Sequence, residues 1–177
     1  MQFTLVPFTP APDIPTLTGE LLREKNHLKL VFHPIETTDL VWPTSDQQSE
    51  RRDNLWQSTC FECFIGTTET ESYIEINASP EQHWQAYYFD SYRHNQQCEG
   101  DINVQVAVDD NALTAKPINL NIDIPTAGFV TADWQISVSA ILQRQSGEQM
   151  YFAIQHPQGK PDFHCDWLRS ITLPYKN

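Results

Sequence analysis

Positive charge is scarce in this chain: Lys and Arg number 11 against 23 Asp and Glu, a formal net charge of -12. With no basic patch to interrupt the acidity, the chain would repel phosphate backbones, which argues against a nucleic-acid partner. No apolar run approaches the roughly 18 residues that a membrane span needs. The start, Met1-Gln2-Phe3-Thr4-Leu5-Val6-Pro7, lacks the basic n-region, apolar h-region and small-residue cleavage site of a secretory signal, so the expectation is a soluble, cytoplasmic protein with no membrane partner. A Gly-rich phosphate loop, a G-x-S-x-G elbow and an H-E-x-x-H motif are all absent, as are internal repeats, linkers and low-complexity tracts. Helical periodicity is nearly absent too; only Gly19 to Lys25 has some helical character, too short to organise a core.

What is present is alternation. At 177 residues, 40% hydrophobic and 11% aromatic, the chain fits one globular domain, 1–177, with a substantial core. Period-2 patterns predict strands over Phe3 to Phe8, His27 to His33, Leu55 to Ile65, Ser72 to Ala78, His83 to Phe89, Ile102 to Val108, Ala112 to Ile124 with an interruption at Pro117, Asp133 to Leu142 and Met150 to His156. A short run, Ile171 to Leu173, makes one more. Turns are marked by Asp109-Asp110-Asn111, Ala127-Gly128, Ser146-Gly147 and Gln158-Gly159, and Pro43 to Asn54 reads as a long polar loop. Short strands spaced by turn residues predict an all-β, antiparallel β-sandwich or jelly roll.

The most informative run is Leu55 to Gly66. Read as one strand, it places Trp56, Ser58, Cys60, Glu62 and Phe64 on one face and Leu55, Thr59, Phe61, Cys63 and Ile65 on the other. Both faces are largely apolar, so Glu62 sits where an unpaired charge is costly. In the next strand Ile74, Ile76 and Ala78 form a core face, opposite Tyr73, Glu75, Asn77 and Ser79. Two neighbouring strands that each set a carboxylate beside aromatics suggest a pocket. Glu62 with Glu75 can be a general acid/base pair, a hydrogen-bonding pair in a recognition site, or two carboxylates each held by one of Arg51, Arg52, Arg93 and Arg169.

Cys60 and Cys63 form a CxxC, but residues i and i+3 of a strand point to opposite faces, so the pair cannot chelate one ion. They read as two buried structural thiols. His156 to Asp166 carries two prolines and Gly159, which present Lys160, Asp162 and His164 rigidly and, in an extended segment, on one face. His94 and Cys98 are further candidates to meet this tail at a metal. Among the tryptophans, Trp134 reads as core, while Trp56 and Trp84 stand beside polar groups as candidates to stack on a sugar ring.

Arg52-Asp53-x-Leu55-Trp56-Gln57-x-Thr59-Cys60-Phe61-Glu62-x-Phe64, then Tyr73-x-Glu75-x-Asn77-x-Ser79-Pro80, then Trp84-x-x-Tyr87-x-Phe89-x-x-Tyr92-Arg93 resemble the bacterial DOMON-like proteins, relatives of family-9 carbohydrate-binding modules. His156-Pro157-x-Gly159-Lys160-Pro161-Asp162-Phe163-His164 is similar to the same group's C-terminal signature. The resemblance implies a jelly-roll-like sandwich in which Trp56 is a stacking ring and Glu62 a hydroxyl-binding carboxylate. Asn77 is kept, whereas Glu75 stands where the sugar-binding relatives place an arginine. DOMON relatives also include haem-binding domains with methionine and histidine ligands, for which Met150 is the candidate. The expectation is non-catalytic binding of a small polar ligand, carbohydrate foremost, by Trp56, Glu62, Glu75, Asn77, Trp84, Arg93, Lys160, Asp162 and His164, with no cofactor required. The alternatives are a sugar-derivative hydrolase using Glu62 or Glu75 with His164, and a haem or metal carrier.

Overall fold

The computed structural model describes residues 1–10, 14, 16–43, 49–109 and 114–176. Parts of the turn at Asp109 to Asn111, of the loop from Pro43 to Asn54 and of the segment expected to begin at Ala112 lie outside the described residues. The architecture is all-β and antiparallel. Among the described residues its twelve strands are β1 (Gln2–Pro7), β2 (Leu17–Glu24), β3 (His27–Glu36), β4 (Cys60–Thr67), β5 (Tyr73–Ala78), β6 (Trp84–Phe89), β7 (Gln97–Cys98), β8 (Asn103–Val108), β9 (Ala115–Asp123), β10 (Trp134–Gln143), β11 (Gln149–Ala153) and β12 (Ile171–Leu173). The only helical turns among the described residues are short 3-10 segments at Leu55–Gln57 and Asp166–Leu168.

Hydrogen bonding runs along one continuous path, β7-β6-β5-β4-β10-β11-β1-β2-β3-β9-β8, with β12 added beside β10. The path curls through β1, which pairs with β2 over Gln2 to Leu5 and with β11 at Val6 and Pro7. One strand thus feeds two layers, and a sandwich results. Phe32 of β3 and Phe61 of β4 meet between the layers with ring centroids 4.8 Å apart. Leu5, Leu21 and Leu30, with Leu120 and Ile122 of β9, join Ile65, Ile76 and Val138 from the other layer in one apolar cluster.

Alternation explains most of this, with three departures. The segment with helical character, Gly19 to Lys25, is strand: Leu17, Gly19 and Leu21 point inward while Thr18, Glu20 and Leu22 are exposed. Gly19 is required there because a Cβ would fall 2.2 Å from the Val31 carbonyl and 2.4 Å from the Phe3 ring. The expected strand over Leu55 to Ile65 begins only at Cys60, because Asn54 adopts a left-handed conformation (φ 62°) and Leu55–Gln57 winds into a 3-10 turn. The interruption expected at Pro117 is absorbed within β9; the register with β3 shifts between Phe32 and Ile35, beside Pro34.

Candidate functional site

β4 and β5 are buried on both faces. Phe61, Cys63, Ile65, Ile74 and Ile76 enter the inter-layer core. Their neighbours Cys60, Phe64 and Tyr73 join Tyr87, Phe89, Ile141, Ala153 and Phe163 in a second apolar cluster. This second cluster lies on the outer face of the β6-β5-β4-β10-β11 layer, where the tail around Phe163 covers it. Glu62 and Glu75 project from the same face. Glu62 pairs across the strands with Asn77, and Glu75 with Phe64, so the two carboxyls are diagonal neighbours.

A cleft of about 310 Å³ opens over them. Trp56, Phe64, Phe89, Ile141, Tyr151 and Phe163 give it apolar walls, and Glu62, Glu75, Arg93, Asp162 and His164 supply its polar groups. Ser139 donates to Glu62 Oε2 at 3.1 Å, and Asn77 Nδ2 donates to Glu75 Oε1 at 2.8 Å. Neither carboxyl has an arginine partner among the described residues. Arg93 is engaged instead by Asp162 at 3.0 Å. Arg51 serves Gln85 and three backbone carbonyls, Arg52 pairs with Glu50, and Arg169 lies over the Tyr73 ring at 4.9 Å.

Burial, reinforced by the charge of Glu75, pushes the Glu62 carboxyl up to about 8. Burial likewise raises Glu75, to about 7, against the Asn77 hydrogen bond and the Arg93 charge. The pair therefore holds protons where ordinary carboxyls have lost them. His164 moves the other way, to about 4, because it is buried and because Arg93 and Arg169 repel its proton more than Asp162 attracts it. Its Nε2 stands 3.8 Å from Glu75 Oε2, a contact that would be an ion pair only with a protonated ring; the neutral ring makes it a long polar contact. The Tyr73 hydroxyl accepts from the Arg93 amide at 3.2 Å and sits 2.7 Å from His164 Nδ1. The hydroxyl thus joins the Arg93 backbone to the imidazole, and the ring's other nitrogen, Nε2, is turned toward Glu75.

Asp162 ties the tail to the sheet. It accepts hydrogen bonds from the Tyr92 hydroxyl, from Arg93, and from the His164 amide at 3.1 Å. These outweigh the cost of burial and hold its carboxyl below its ordinary range.

Of the expected site residues, Trp56, Glu62, Glu75, Arg93, Asp162 and His164 line this cleft, and Asn77 is buried behind Glu75. Two do not. Trp84 begins β6 on the inner face, where it packs in the inter-layer core with Arg51 4.4 Å over its ring. Lys160 is exposed, because the tail bends at Gly159 (φ 95°) and turns again at Phe163, so Lys160, Asp162 and His164 do not share an extended face. Trp56 reaches the cleft from the 3-10 turn rather than along a strand face. Cys60 and Cys63 are buried free thiols in the two different apolar clusters, as strand geometry requires. His94 lies beside Asp90 on the surface, Cys98 is exposed, and no group of three or more His, Cys, Asp or Glu among the described residues is arranged to hold a metal ion. Met150 packs against the inter-layer core and lines, with His33, a separate cleft. No helix among the described residues is long and apolar enough to cross a membrane.

The aromatic walls Tyr151 and Phe163 and the hydroxyl of Tyr73 were not among the expected residues. Tyr73 alternates with Glu75 and Asn77, and Tyr151 faces Ile141 across the β10–β11 ladder, so period-2 reading carries both signals.

Fold and cleft define an antiparallel β-sandwich with an aromatic, carboxyl-bearing groove on one outer face. No family model matches the chain, and no curated protein matches it in sequence. Among solved structures it is similar to one described as "a putative carbohydrate-binding protein" from Bacteroides uniformis, with a TM-score of 0.61 at 9% identity, over 95% of this chain and 83% of that one. At that identity the likeness is one of fold.

Proposed function

We propose that the outer-face cleft binds a small polar ligand, a carbohydrate above all, without chemical change. The observation that carries this reading is the pairing of the Trp56 ring at the cleft with two protonatable carboxyls, Glu62 and Glu75, in its floor. Aromatic faces stack on the apolar C–H faces of sugars, and carboxyls that hold a proton both donate to and accept from hydroxyls. The fold shared with the Bacteroides uniformis protein, and the resemblance of residues 51–93 to DOMON-like and family-9 modules, support the same class. Isothermal titration and thermal-shift measurements against mono- and disaccharides, with a glycan array, test it. The expected result is a saccharide that raises the melting temperature and loses that effect in Trp56→Ala. An empty array together with no shift for any saccharide overturns it.

A second reading, hydrolysis of a sugar derivative, is favoured by one observation. Glu62 stays protonated near neutrality, as a general acid must, diagonal to a second carboxyl. Turnover of chromogenic glycosides by the parent, lost in Glu62→Gln, would establish it; binding without turnover rejects it.

A further inference from the structure

The charges on the cleft's walls do not balance. Among the described residues Arg93 is its only cationic side chain, and Asp162 already neutralises it at 3.0 Å. Arg169 approaches from behind Tyr73, with its guanidinium over that ring and 3.4 Å from the His164 carbonyl. His164 is neutral. On β4 Cys60 is a thiol held protonated by burial, and from β10 only the Ser139 hydroxyl arrives. Glu62 and Glu75 therefore stand beside each other with hydroxyl, amide and imidazole partners but no ion-pair partner among the described residues.

Their hydrogen bonding is also incomplete. Glu62 is 3% exposed, yet among the described residues its sole hydrogen bond is the one Ser139 donates to Oε2. Glu75 is 6% exposed; Oε1 takes the Asn77 amide, while Oε2 has only the long contact to His164. Directly across from Glu62, the Asn77 Oδ1 is buried without any partner. Buried polar atoms of native proteins are overwhelmingly satisfied, and a floor whose own side chains leave these acceptors open is shaped for a donor from outside. Above that floor Trp56, Phe64, Phe89, Tyr151 and Phe163 present rings. Rings over an acidic floor are the environment that draws in a cationic nitrogen, through the ring quadrupoles and through charge-assisted hydrogen bonds.

We propose that the floor of this cleft receives an ammonium group between Glu62 and Glu75, carried, on the carbohydrate reading above, by an amino sugar with a free amine. A cation there supplies N–H donors to the open carboxyl oxygens and takes the place of the proton that the pair otherwise holds. Arg93 held on Asp162 cannot do this without abandoning the tail. Burial, the first cause of the raised proton affinity of both carboxyls, disfavours their charged forms, and a bound proton relieves there what an ammonium would relieve.

The experiment is isothermal titration near neutral pH with glucosamine, glucose, N-acetylglucosamine and putrescine, on the parent, Glu62→Gln and Glu75→Gln. Glucosamine should bind about tenfold or more tightly than its two neutral counterparts, the worth of one well-placed charge pair. Each Gln variant should compress that ratio several-fold, and melting curves of the variants establish that they are folded. Glucose or N-acetylglucosamine binding as tightly as glucosamine overturns the ammonium inference and leaves the carbohydrate reading intact. Putrescine binding with no sugar bound supports an ammonium site and overturns the amino sugar as its carrier. No binding by any of the four overturns the ammonium inference, and the glycan array and thermal-shift screen then decide the carbohydrate reading on their own.

Discussion

The Tyr73 hydroxyl lies 2.7 Å from Nδ1 of His164, joining a residue of the central sheet to one 91 positions later in the chain. That bond holds the imidazole in place with its other nitrogen turned toward Glu75. Phe64 and Phe89 pack their rings on the same imidazole at 5.1 and 5.3 Å, so its orientation is set from three sides. A cleft whose polar groups are immobilised in this way can recognise a ligand without reorganising.

The pH dependence of stability should have two opposed components. Glu62 and Glu75 hold their protons more tightly in the folded chain than in the unfolded one, so folding takes up protons and their contribution falls as pH rises from about 4.5 towards 8. His164, depressed to about 4 from 6.5, contributes stability that is present above 6.5 and lost as pH falls through that interval. Denaturant titrations across this range should show Glu62→Gln more stable than the parent above pH 8 and with a flatter alkaline limb. His164→Asn should flatten the acid limb instead. A Glu62→Gln curve parallel to the parent's at all pH values would contradict the assignment.

Trp56 meets Tyr87 edge-on at 6.1 Å and remains half-buried. Trp56→Ala should therefore weaken ligand binding by about 1.5–3 kcal/mol while lowering stability by less than about 1 kcal/mol. Titration calorimetry beside a thermal melt reads the two effects separately.

Asp162 serves three donors from a side chain that is 8% exposed. Removing it leaves the tail without its anchor and Tyr92, Arg93 and the His164 amide without their acceptor. Asp162→Ala should cost about 2–4 kcal/mol. Hydrogen exchange should accelerate over residues 161–169 before it does in β4 and β5. Uniform acceleration through the sheet would show that Asp162 stabilises the whole sandwich rather than the tail.

Gly19→Ala should destabilise the fold by about 2 kcal/mol or more, because the added methyl meets the Val31 backbone carbonyl, which cannot move without breaking the β2–β3 ladder. An unchanged melting temperature would mean that the ladder yields at that point.

A thiol reagent on the native protein should label Cys98 first and Cys165 more slowly. Cys60 and Cys63 should stay silent until unfolding, since both are fully buried and burial raises both thiols far above their ordinary range. Mass spectrometry of the labelled peptides checks this.

Strand positions were legible wherever one face is core and the other is wet, as in β8 and β9. β2 was not, because exposed Leu22 beside buried Leu21 and the charges at Glu20, Arg23 and Glu24 imitate a short amphipathic helix. Only pairing with β1 and β3 on both sides decides the matter. In the cleft, Glu62 and Glu75 could be assigned to one face from local alternation alone. Trp84 misled because its polar sequence neighbours say nothing of which side of β6 is buried. The bonds that complete the site, Tyr73 to His164 and Arg93 to Asp162, span 91 and 69 positions, and no local pattern encodes them.

Those separations bear on how the molecule comes into being. The strands that carry Glu62 and Glu75, with β6 beside them, are complete in sequence by Phe89, yet the cover of their outer face begins only at Pro161. During synthesis the acidic floor must wait, uncovered, for the stretch that begins at Pro161. Closure by Asp162 onto Tyr92 and Arg93 is therefore the step that turns an exposed sheet face into a shaped cavity, and a nascent chain halted before it would hold most of its strands and no finished cleft.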